Sequence, residues 1–300
     1  MQQTATEHGV DPARVAALLE QAQYQQSIID AITRPAEGKP WHAYRPIFLT
    51  DKRIADGRAF LAEHREALQR VEQATGVPAA LIVAIIGVET SYGRITGSYR
   101  VLDALYTLGF HYPPRQDFFR RELAQLFALA AEESLALEEL KGSYAGAMGW
   151  GQFIPSSYRA YAVDGDADGD RDLFASLPDI FASVANYFVA HGWQPGAPVA
   201  VPALRDPGAA PLLPGSSETS YELAALGELG YRPQRALGSD HPATLLTLQA
   251  AAGEEYWITF RNFYAITRYN RSPLYAMAVY QLANEIAGTS AASGGVPTAQ

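Results

Sequence analysis

Apolar residues recur at helical spacing along much of the chain, beginning near its start. Residues 9–32 carry an apolar stripe that opens with Val15 and Leu18, which is the pattern of an amphipathic helix. Asp11 is a favourable N-cap, and Pro12 suits the first helical position. This stretch therefore predicts one helix that runs to about residue 32.

The same spacing predicts further helices, and one intervening stretch predicts irregular backbone. Residues 33–48 are rich in proline, and we expect them to be irregular. Gly76 is placed to end the helix that begins near residue 51. The helical patterns cover residues 51–76, 77–90, 115–133, 177–193 and 260–288.

The pattern changes after residue 195. Residues 195–256 are rich in proline and glycine and contain short strand-like runs. These runs cover residues 197–204, 243–250 and 254–260. We predict a small, mainly β subdomain here. The tail, residues 289–300, is small and polar, and we expect it to be disordered.

The stretch AIIGVETSYG, residues 84–93, places an acid at the end of an apolar run. Glu89 shares one helical face with three isoleucines, Ile82, Ile85 and Ile86. Burial disfavours the charged form and raises the pKa of a carboxyl group, as in the general acids of glycosidases. The alternative is a structural acid that pairs with Arg94 or Arg100.

A glycine-rich stretch, residues 142–161, provides neutral hydrogen-bonding groups between aromatic residues. Glycine allows the backbone to approach a ligand closely. Gln152, Ser156 and Ser157 suit a neutral polyol. The alternative is a plain loop that leads into a helix, although loops on rigid scaffolds often carry function.

Residues 164–179 resemble the calcium loop of an EF-hand. Asp164, Asp166, Asp168 and Asp170 occupy positions 1, 3, 5 and 7, and Gly169 occupies position 6. Position 12 is Ala175 instead of the usual glutamate, so Asp179 could complete the ligand set in a longer loop. We predict a structural Ca²⁺ site. The alternative is a solvated acidic turn.

Composition and charge narrow the classes of function. The chain of 300 residues is 48% hydrophobic, has a net charge of −9 and has a sequence pI of about 5.2, which disfavours a nucleic-acid partner. It contains no cysteine, which excludes disulfides and thiol nucleophiles. The first residues show no signal peptide, so we expect either a protein that is soluble where it is made or a leader or lipid-anchor segment that is missing from this sequence.

Several long motifs, in one order, resemble the membrane-bound lytic murein transglycosylase B family. The resemblance covers residues 10–287. The matching segments are ETSYG at 89–93, VLDALYTLGFHYP at 101–113, GAMGWGQFIPSSY at 146–158, the Asp-rich loop with SVANYFVAHGW at 183–193, and ITRYNRSPLYAMAVYQLA at 266–283.

The resemblance implies a mainly α (α+β) fold, in which a lysozyme-like core is joined by an additional helical domain and a small β subdomain. The expected division is a helical domain at 1–75, the core at 76–194, the β subdomain at 195–256, a return of the chain to the core at 257–288 and the tail at 289–300.

The resemblance also implies cleavage of the β-1,4 bond between N-acetylmuramic acid and N-acetylglucosamine in peptidoglycan. Glu89 would protonate the glycosidic oxygen and then act as base on the muramoyl C6 hydroxyl, which closes to a 1,6-anhydromuramoyl end. No water is consumed, so no second carboxylate is needed. The alternatives are a hydrolytic muramidase and a non-catalytic, calcium-stabilised peptidoglycan-binding protein.

Binding residues follow from the matching motifs. Gln152 would hydrogen-bond the sugar, and Phe118 would retain stacking where relatives tend to have tyrosine. The expected cleft lining is Met148, Phe153, Tyr187, Tyr269 and Tyr275, although Tyr269 and Tyr275 could equally be core residues at a helix start.

The resemblance implies peptidoglycan glycan strands as the partner, no organic cofactor, and a location in the periplasm of a Gram-negative bacterium with outer-membrane association as an option. We expect a monomer that can contact proteins of cell-wall synthesis or remodelling.

Overall fold

The computed structural model describes residues 9–34, 38–212, 221–237 and 241–289, which form helices and one larger antiparallel sheet. The helices are α1 (Pro12–Glu20), α2 (Gln26–Ile32), α3 (Trp41–Phe48), α4 (Asp51–Glu63), α5 (Arg65–Thr75), α6 (Ala79–Thr90), α7 (Val101–His111), α8 (Gln116–Glu132), α9 (Pro155–Tyr161), α10 (Leu177–Ala190), α11 (Leu223–Glu228), α12 (Arg261–Tyr269) and α13 (Pro273–Ala287).

The longer strands all lie in the second half of the chain, together with two short ones. They are β1 (Tyr99–Arg100), β2 (Lys141–Gly142), β3 (Ala200–Arg205), β4 (Tyr221–Glu222), β5 (Tyr231–Pro233), β6 (Pro242–Ala250) and β7 (Gly253–Phe260). The mainly helical α+β class predicted from the sequence is confirmed, and β3, β6 and β7 fall on the three predicted strand-like runs.

The chain divides into two compact units. The first unit comprises Met1–Ala36 and Glu89–Val184, and the second comprises Glu37–Val88 and Ala185–Gln300. This division groups residues more coarsely than the five parts expected from the sequence, whose boundaries stay predictions. The predicted disordered tail lies outside the described residues from position 290 onward.

In the first unit, the predicted helix over residues 9–32 is wrong in one respect, because the backbone breaks between α1 and α2. The Gln23 N–H donates to the Asp103 side chain at 2.8 Å, and the Gln25 N–H donates to Thr107 Oγ1 at 3.1 Å. Side chains of α7 therefore take up donors that a continuous helix would bond internally. The Asp11 cap is confirmed, since its side chain accepts from the Ala13 N–H at 2.9 Å.

In the second unit, the larger sheet has the strand order β4-β6-β7-β3-β5, and its pairs are antiparallel. Apolar side chains form the core of this region, including Val201, Leu245, Ile258 and Phe260. Helix α13 is joined to the sheet by the Tyr280 hydroxyl, which donates to the Ala200 carbonyl at 2.8 Å. Within β3, Val201 and Ala203 are buried while Pro202 and Leu204 are less covered, as expected for a strand with one covered face.

The prediction of irregular backbone over residues 33–48 is wrong for its second half, because residues 41–48 form α3. Trp41 and Tyr44 lie on one side of α3 and are buried, so tertiary packing stabilises the helix despite Pro46. Packing of an apolar face commonly outweighs weak local propensity in short helices.

Helix α6 is buried on every side rather than along one face. Leu81, Val83 and Ala84 are as fully covered as the isoleucines that the sequence placed on the core face. Within the described ranges, no single helix is long and apolar enough to span a bilayer. Helices α5 and α6 reach that length and composition only as a pair bent by 113°.

Candidate active site

The backbone leaves the helical conformation one residue after Glu89. The Glu89 side chain is half-buried in the last turn of α6, which ends at Thr90. The three residues after Thr90 all lie in the left-handed region, with φ of 51° at Ser91, 62° at Tyr92 and 78° at Gly93. Non-glycine residues reach this region at an energetic cost, and such strain concentrates at functional sites. The turn keeps the carboxylate at a helix end, where the helix dipole disfavours its charged form.

The end of α6 is held against the glycine-rich loop. The Thr90 hydroxyl donates to the Trp150 carbonyl at 3.0 Å and accepts from the Gly93 N–H at 3.0 Å. A Cβ on Gly93 would lie 2.3 Å from the Trp150 indole. Gly93 is therefore required both for its backbone conformation and for the close approach of the ring. Glu89 therefore lies next to Thr90, which bonds both Gly93 and Trp150.

The glycine-rich loop closes on itself through Met148 and Phe153. Each residue's N–H donates to the other's carbonyl at 2.9 Å. Gln152, at the tip, has φ of 52°, and its amide nitrogen donates to the Thr96 carbonyl at 3.1 Å and the Gly149 carbonyl at 2.9 Å. Among the described residues no donor bonds the Gln152 amide oxygen. Gln152 can therefore offer an acceptor to a ligand hydroxyl or amide.

The predicted aromatic and apolar residues of the first unit differ in exposure. Met148 is 0% exposed and Phe153 is 2% exposed, so in this structure both support the loop from below. Phe118 is half-buried, and the Arg115 guanidinium lies 4.3 Å from its ring centroid. Their predicted contacts with sugar stay predictions.

The three predicted tyrosines belong to the second unit. The rings of Tyr187 and Tyr269 lie 4.7 Å apart, and the Tyr187 hydroxyl donates to the Arg268 carbonyl at 2.6 Å. Tyr275 is 4% exposed at the start of α13, where its N–H donates to Ser272 Oγ at 3.4 Å. Tyr187 and Tyr269 form one aromatic cluster, and their predicted role in the cleft stays a prediction.

The acidic loop brings three of the five predicted ligands together. Oxygen atoms of Asp164, Asp166 and Asp179 lie within 4.8 Å of one another. Asp168 and Asp170 lie outside this group, and the Asp170 N–H donates to the Asp168 side chain at 3.0 Å. Carboxylate oxygens at this spacing are the donor set that Ca²⁺ prefers. The part of Asp168 and Asp170 in the ligand set stays a prediction.

Asp179 anchors this loop from the start of α10. It is 1% exposed, and its two oxygens accept from the Gly165 N–H at 2.7 Å and the Asp172 N–H at 2.6 Å. Burial raises the pKa of the Asp179 carboxyl, the two backbone bonds oppose that shift, and the charge of Asp166 adds to it. A cation among the three acids would relieve both the burial cost and the repulsion.

The first 284 residues match the model of a protein family described as the transglycosylase SLT domain. The chain belongs to this family. The enzyme class predicted from the sequence is thereby confirmed at the level of transglycosylase.

Known proteins resemble the transglycosylase over nearly its whole length. The membrane-bound lytic murein transglycosylase B of Escherichia coli strain K12 is 43% identical over 290 residues, which cover 93% of this chain and 79% of that protein. The structure of the E. coli lytic transglycosylase Slt35 in complex with calcium has a TM-score of 0.87 at 42% identity, covering 97% of this chain and 92% of the other.

A more distant structure carries a ligand. SltB3 from Pseudomonas aeruginosa, in complex with NAG-anhNAM-pentapeptide, has a TM-score of 0.83 at 30% identity, covering 99% of this chain and 79% of the other. The predicted lysozyme-like fold class is confirmed, because the structure of this chain matches that of the lytic transglycosylase Slt35.

The sequence analysis missed Glu122, which is buried in α8 of the transglycosylase. Its two oxygens accept from the Ser156 N–H at 2.9 Å and the Ser156 hydroxyl at 2.8 Å. Burial raises the pKa of the Glu122 carboxyl, and the Ser156 bonds oppose the shift. Glu122 thus caps the first turn of α9. Its partner lies 34 residues away, so no local pattern indicates the contact.

Proposed function

We propose that this transglycosylase cleaves the MurNAc-β-1,4-GlcNAc bond of peptidoglycan and leaves a 1,6-anhydromuramoyl end, with Glu89 as its single general acid and base. The observation that carries the proposal is the placement of Glu89. It lies in the last turn of a largely buried helix, and the adjacent Thr90 leads into three left-handed residues and bonds the loop that presents Gln152. Two of the relatives named above are lytic transglycosylases by name.

In the proposed reaction, the protonated Glu89 donates its proton to the glycosidic oxygen as the C1–O4 bond breaks. The resulting carboxylate accepts the proton of the muramoyl C6 hydroxyl, and the O6–C1 bond forms. Glu89 ends the cycle protonated, so the proton balance closes without water. General acid–base catalysis of this kind typically contributes about 10²–10⁴-fold to the rate.

The buried acids of α7 and α8 support a mechanism with one carboxyl group. Asp103 accepts from the Gln23 N–H at 2.8 Å and pairs with Arg100 at 2.5 Å. Glu122 has both oxygens bonded to Ser156. These two acids are therefore committed to structure, and neither is free to activate water as the second carboxylate of a hydrolase would.

We also propose that Asp164, Asp166 and Asp179 bind a structural Ca²⁺. The geometry fits, since their oxygens are grouped within 4.8 Å and Asp179 is buried. The Ser176 hydroxyl donates to Asp166 at 3.0 Å and helps to orient it. When bound, the ion would neutralise the acidic cluster and hold the loop against α10.

The deciding experiment is a digest of purified peptidoglycan sacculi with the wild-type protein and with Glu89→Gln, analysed by mass spectrometry. Glu139→Gln, at an exposed acid, is the matched control. We expect anhydro-muropeptides, each one water lighter than the reducing form, from the wild type and the control only. Reducing products would indicate a hydrolytic muramidase. Equal products with Glu89→Gln would refute the assignment of Glu89, and no products from the wild type would favour a binding protein.

The periplasm of a Gram-negative bacterium is the location that this substrate supports, with glycan strands as the partner. The expected monomer and the contacts with cell-wall synthesis or remodelling proteins stay predictions. Fractionation of the native cells, with detection of the protein in periplasmic and membrane fractions, checks the location.

A further inference from the structure

A polar cavity lies wholly within the second unit. Its volume is about 470 Å³, and helix α3, the β6–β7 turn and helix α13 surround it. The polar side chains that line it are Trp41, His42, Arg45, Glu255 and Gln281. None of them belongs to the proposed catalytic or calcium-binding sets. A cavity of this size can hold a small organic molecule.

Gln281 is the most unusual of these groups because it is polar and about nine-tenths buried, and because only one end of its side-chain amide has a hydrogen-bond partner. Its amide oxygen accepts from Arg45 Nε at 2.7 Å. Its amide nitrogen bonds no acceptor within the described part of the chain. In that part, every side-chain nitrogen or oxygen atom that is itself inaccessible has a hydrogen-bond partner. The Gln281 nitrogen must therefore be accessible at the cavity, where it can donate to a ligand.

Trp41 is likewise buried and is 2% exposed. Its indole N–H also bonds no described residue, so it too must reach accessible space. Arg45 uses Nε on Gln281, which leaves its two terminal NH₂ groups for another acceptor. Three donor side chains thus line one cavity, and each has unused N–H groups.

One acid faces these donors across the cavity. The Glu255 side chain accepts from Trp257 Nε1 at 3.2 Å through one oxygen. In the described ranges neither Glu255 nor Arg45 forms an ion pair, so the cavity has one unneutralised charge of each sign. His42 contacts the Gln249 carbonyl through Nδ1 at 3.2 Å and adds a further polar wall.

These charges limit the chemistry of a ligand. A simple anion would suit Arg45 but be repelled by Glu255, and a simple cation would meet the reverse. A neutral sugar would leave both charges unpaired. A molecule with an ammonium and a carboxylate close together would pair with both, and its carboxylate oxygens could also accept from Gln281 and Trp41.

We propose that this cavity binds the zwitterionic end of an amino acid, either free or carried by the side chain of a peptide's last residue, with its carboxylate at Arg45 and its ammonium at Glu255. The inference goes beyond the proposed bond cleavage. It is tested by binding alone, so its failure would leave the transglycosylase proposal untouched, and failure of the digest would leave this one untouched.

The test is isothermal titration of the whole protein with 2,6-diaminopimelic acid, whose ends are both zwitterions. The N,N′-diacetyl derivative removes both ammonium charges, and the dimethyl ester removes both carboxylate charges. We expect saturable binding of the parent compound and at least about tenfold weaker binding of each derivative, because a charge-assisted bond is lost. Equal binding of the diacetyl form would overturn the zwitterion assignment, and so would absence of binding by the parent.

Substitutions locate the site. Arg45→Gln and Glu255→Gln should each weaken binding at least about tenfold. The matched controls are Arg70→Gln, at an exposed arginine on α5, and Glu254→Gln, at the exposed acid next to Glu255, and neither should change it. Binding that is unchanged in both cavity variants would overturn the proposal.

A second measurement does not depend on the folding of any cavity variant. The indole N–H resonance of Trp41 in the wild type, assigned with Trp41→Phe, should shift on titration with the parent compound. A constant resonance at saturation would overturn the placement. A tripeptide that ends in diaminopimelic acid distinguishes the two sources, since tighter binding than the free amino acid favours a peptide and weaker binding favours the free form.

Discussion

Gly93→Ala tests whether the strained turn after Glu89 positions the proposed catalytic carboxyl group. At φ of 78° a Cβ is disfavoured, and the new methyl group would lie 2.3 to 2.5 Å from three atoms of the Trp150 ring. The left-handed backbone alone costs alanine about 1–2 kcal/mol. Overpacking against the ring adds about 1–3 kcal/mol. We expect a loss in the free energy of unfolding of about 2–5 kcal/mol.

The control for Gly93→Ala is Gly288→Ala, because the two glycines share a backbone conformation but not their surroundings. Gly288 has φ of 73° and would meet no atom within 4 Å of a new Cβ. Gly288→Ala should therefore lose only the backbone part, about 1–2 kcal/mol. The difference between the two variants, measured by urea unfolding, isolates the contact with Trp150.

Activity should separate the two variants further. The Gly93 N–H bonds Thr90, and Thr90 bonds the Trp150 carbonyl, so displacement of the ring moves the residues beside Glu89. We expect Gly93→Ala to release soluble muropeptides from sacculi about 10–100-fold more slowly, with Gly288→Ala unchanged. Trp150→Ala should partly relieve the clash in a double variant. Equal stability losses together with full activity of Gly93→Ala would refute the reasoning.

Three further predictions concern the acids. Chelation should lower the melting temperature, and added Ca²⁺ should restore it. At a free Ca²⁺ concentration one hundred times Kd, the ion should add about 2.7 kcal/mol to the free energy of unfolding. Asp179→Asn should respond to neither treatment. Burial raises the pKa of Glu122 in the folded state, so the folded form binds the proton more tightly. As pH rises from the unfolded-state pKa through the folded-state pKa of this carboxyl group, the wild type should lose stability relative to Glu122→Gln. Urea unfolding that gives parallel curves of stability against pH for the two proteins would contradict this. Asp103→Ala breaks a buried pair, in which the acid is 5% exposed, and should cost about 3–5 kcal/mol. The control Asp117→Ala, at an acid 86% exposed, should cost less than about 1 kcal/mol, and equal losses would refute the difference.

Sequence-based prediction succeeded where the deciding interactions are local. The Asp11 cap lies two residues from its donor, and the acidic loop is bonded within its own turn, as between Asp164 and Gly169 at 2.9 Å. Long motifs around Glu89 identified the family because they preserve residue type and order together. Such patterns can be found without knowing which distant segments meet.

Prediction failed where a distant side chain decides the local backbone. The helix expected over residues 9–32 is interrupted because Asp103 and Thr107, about 80 residues away, accept N–H groups of the connecting segment. Residues 41–48 become helical because packing covers Trp41 and Tyr44. In both cases the energy of a tertiary contact exceeds the small differences in local propensity.

The sequence by itself determined the class of fold, the positions of β3, β6 and β7, the family and the candidate acid, since spacing and motif order carry that information. Only the tertiary structure decided the rest. It showed that Gln152 spends its amide nitrogen on the backbone, that Glu122 caps a helix 34 residues away, and that Arg45 lines one cavity with Gln281. Hydrogen bonds act over about 3 Å of space and at any separation along the chain, so their partners become known only when the chain is folded.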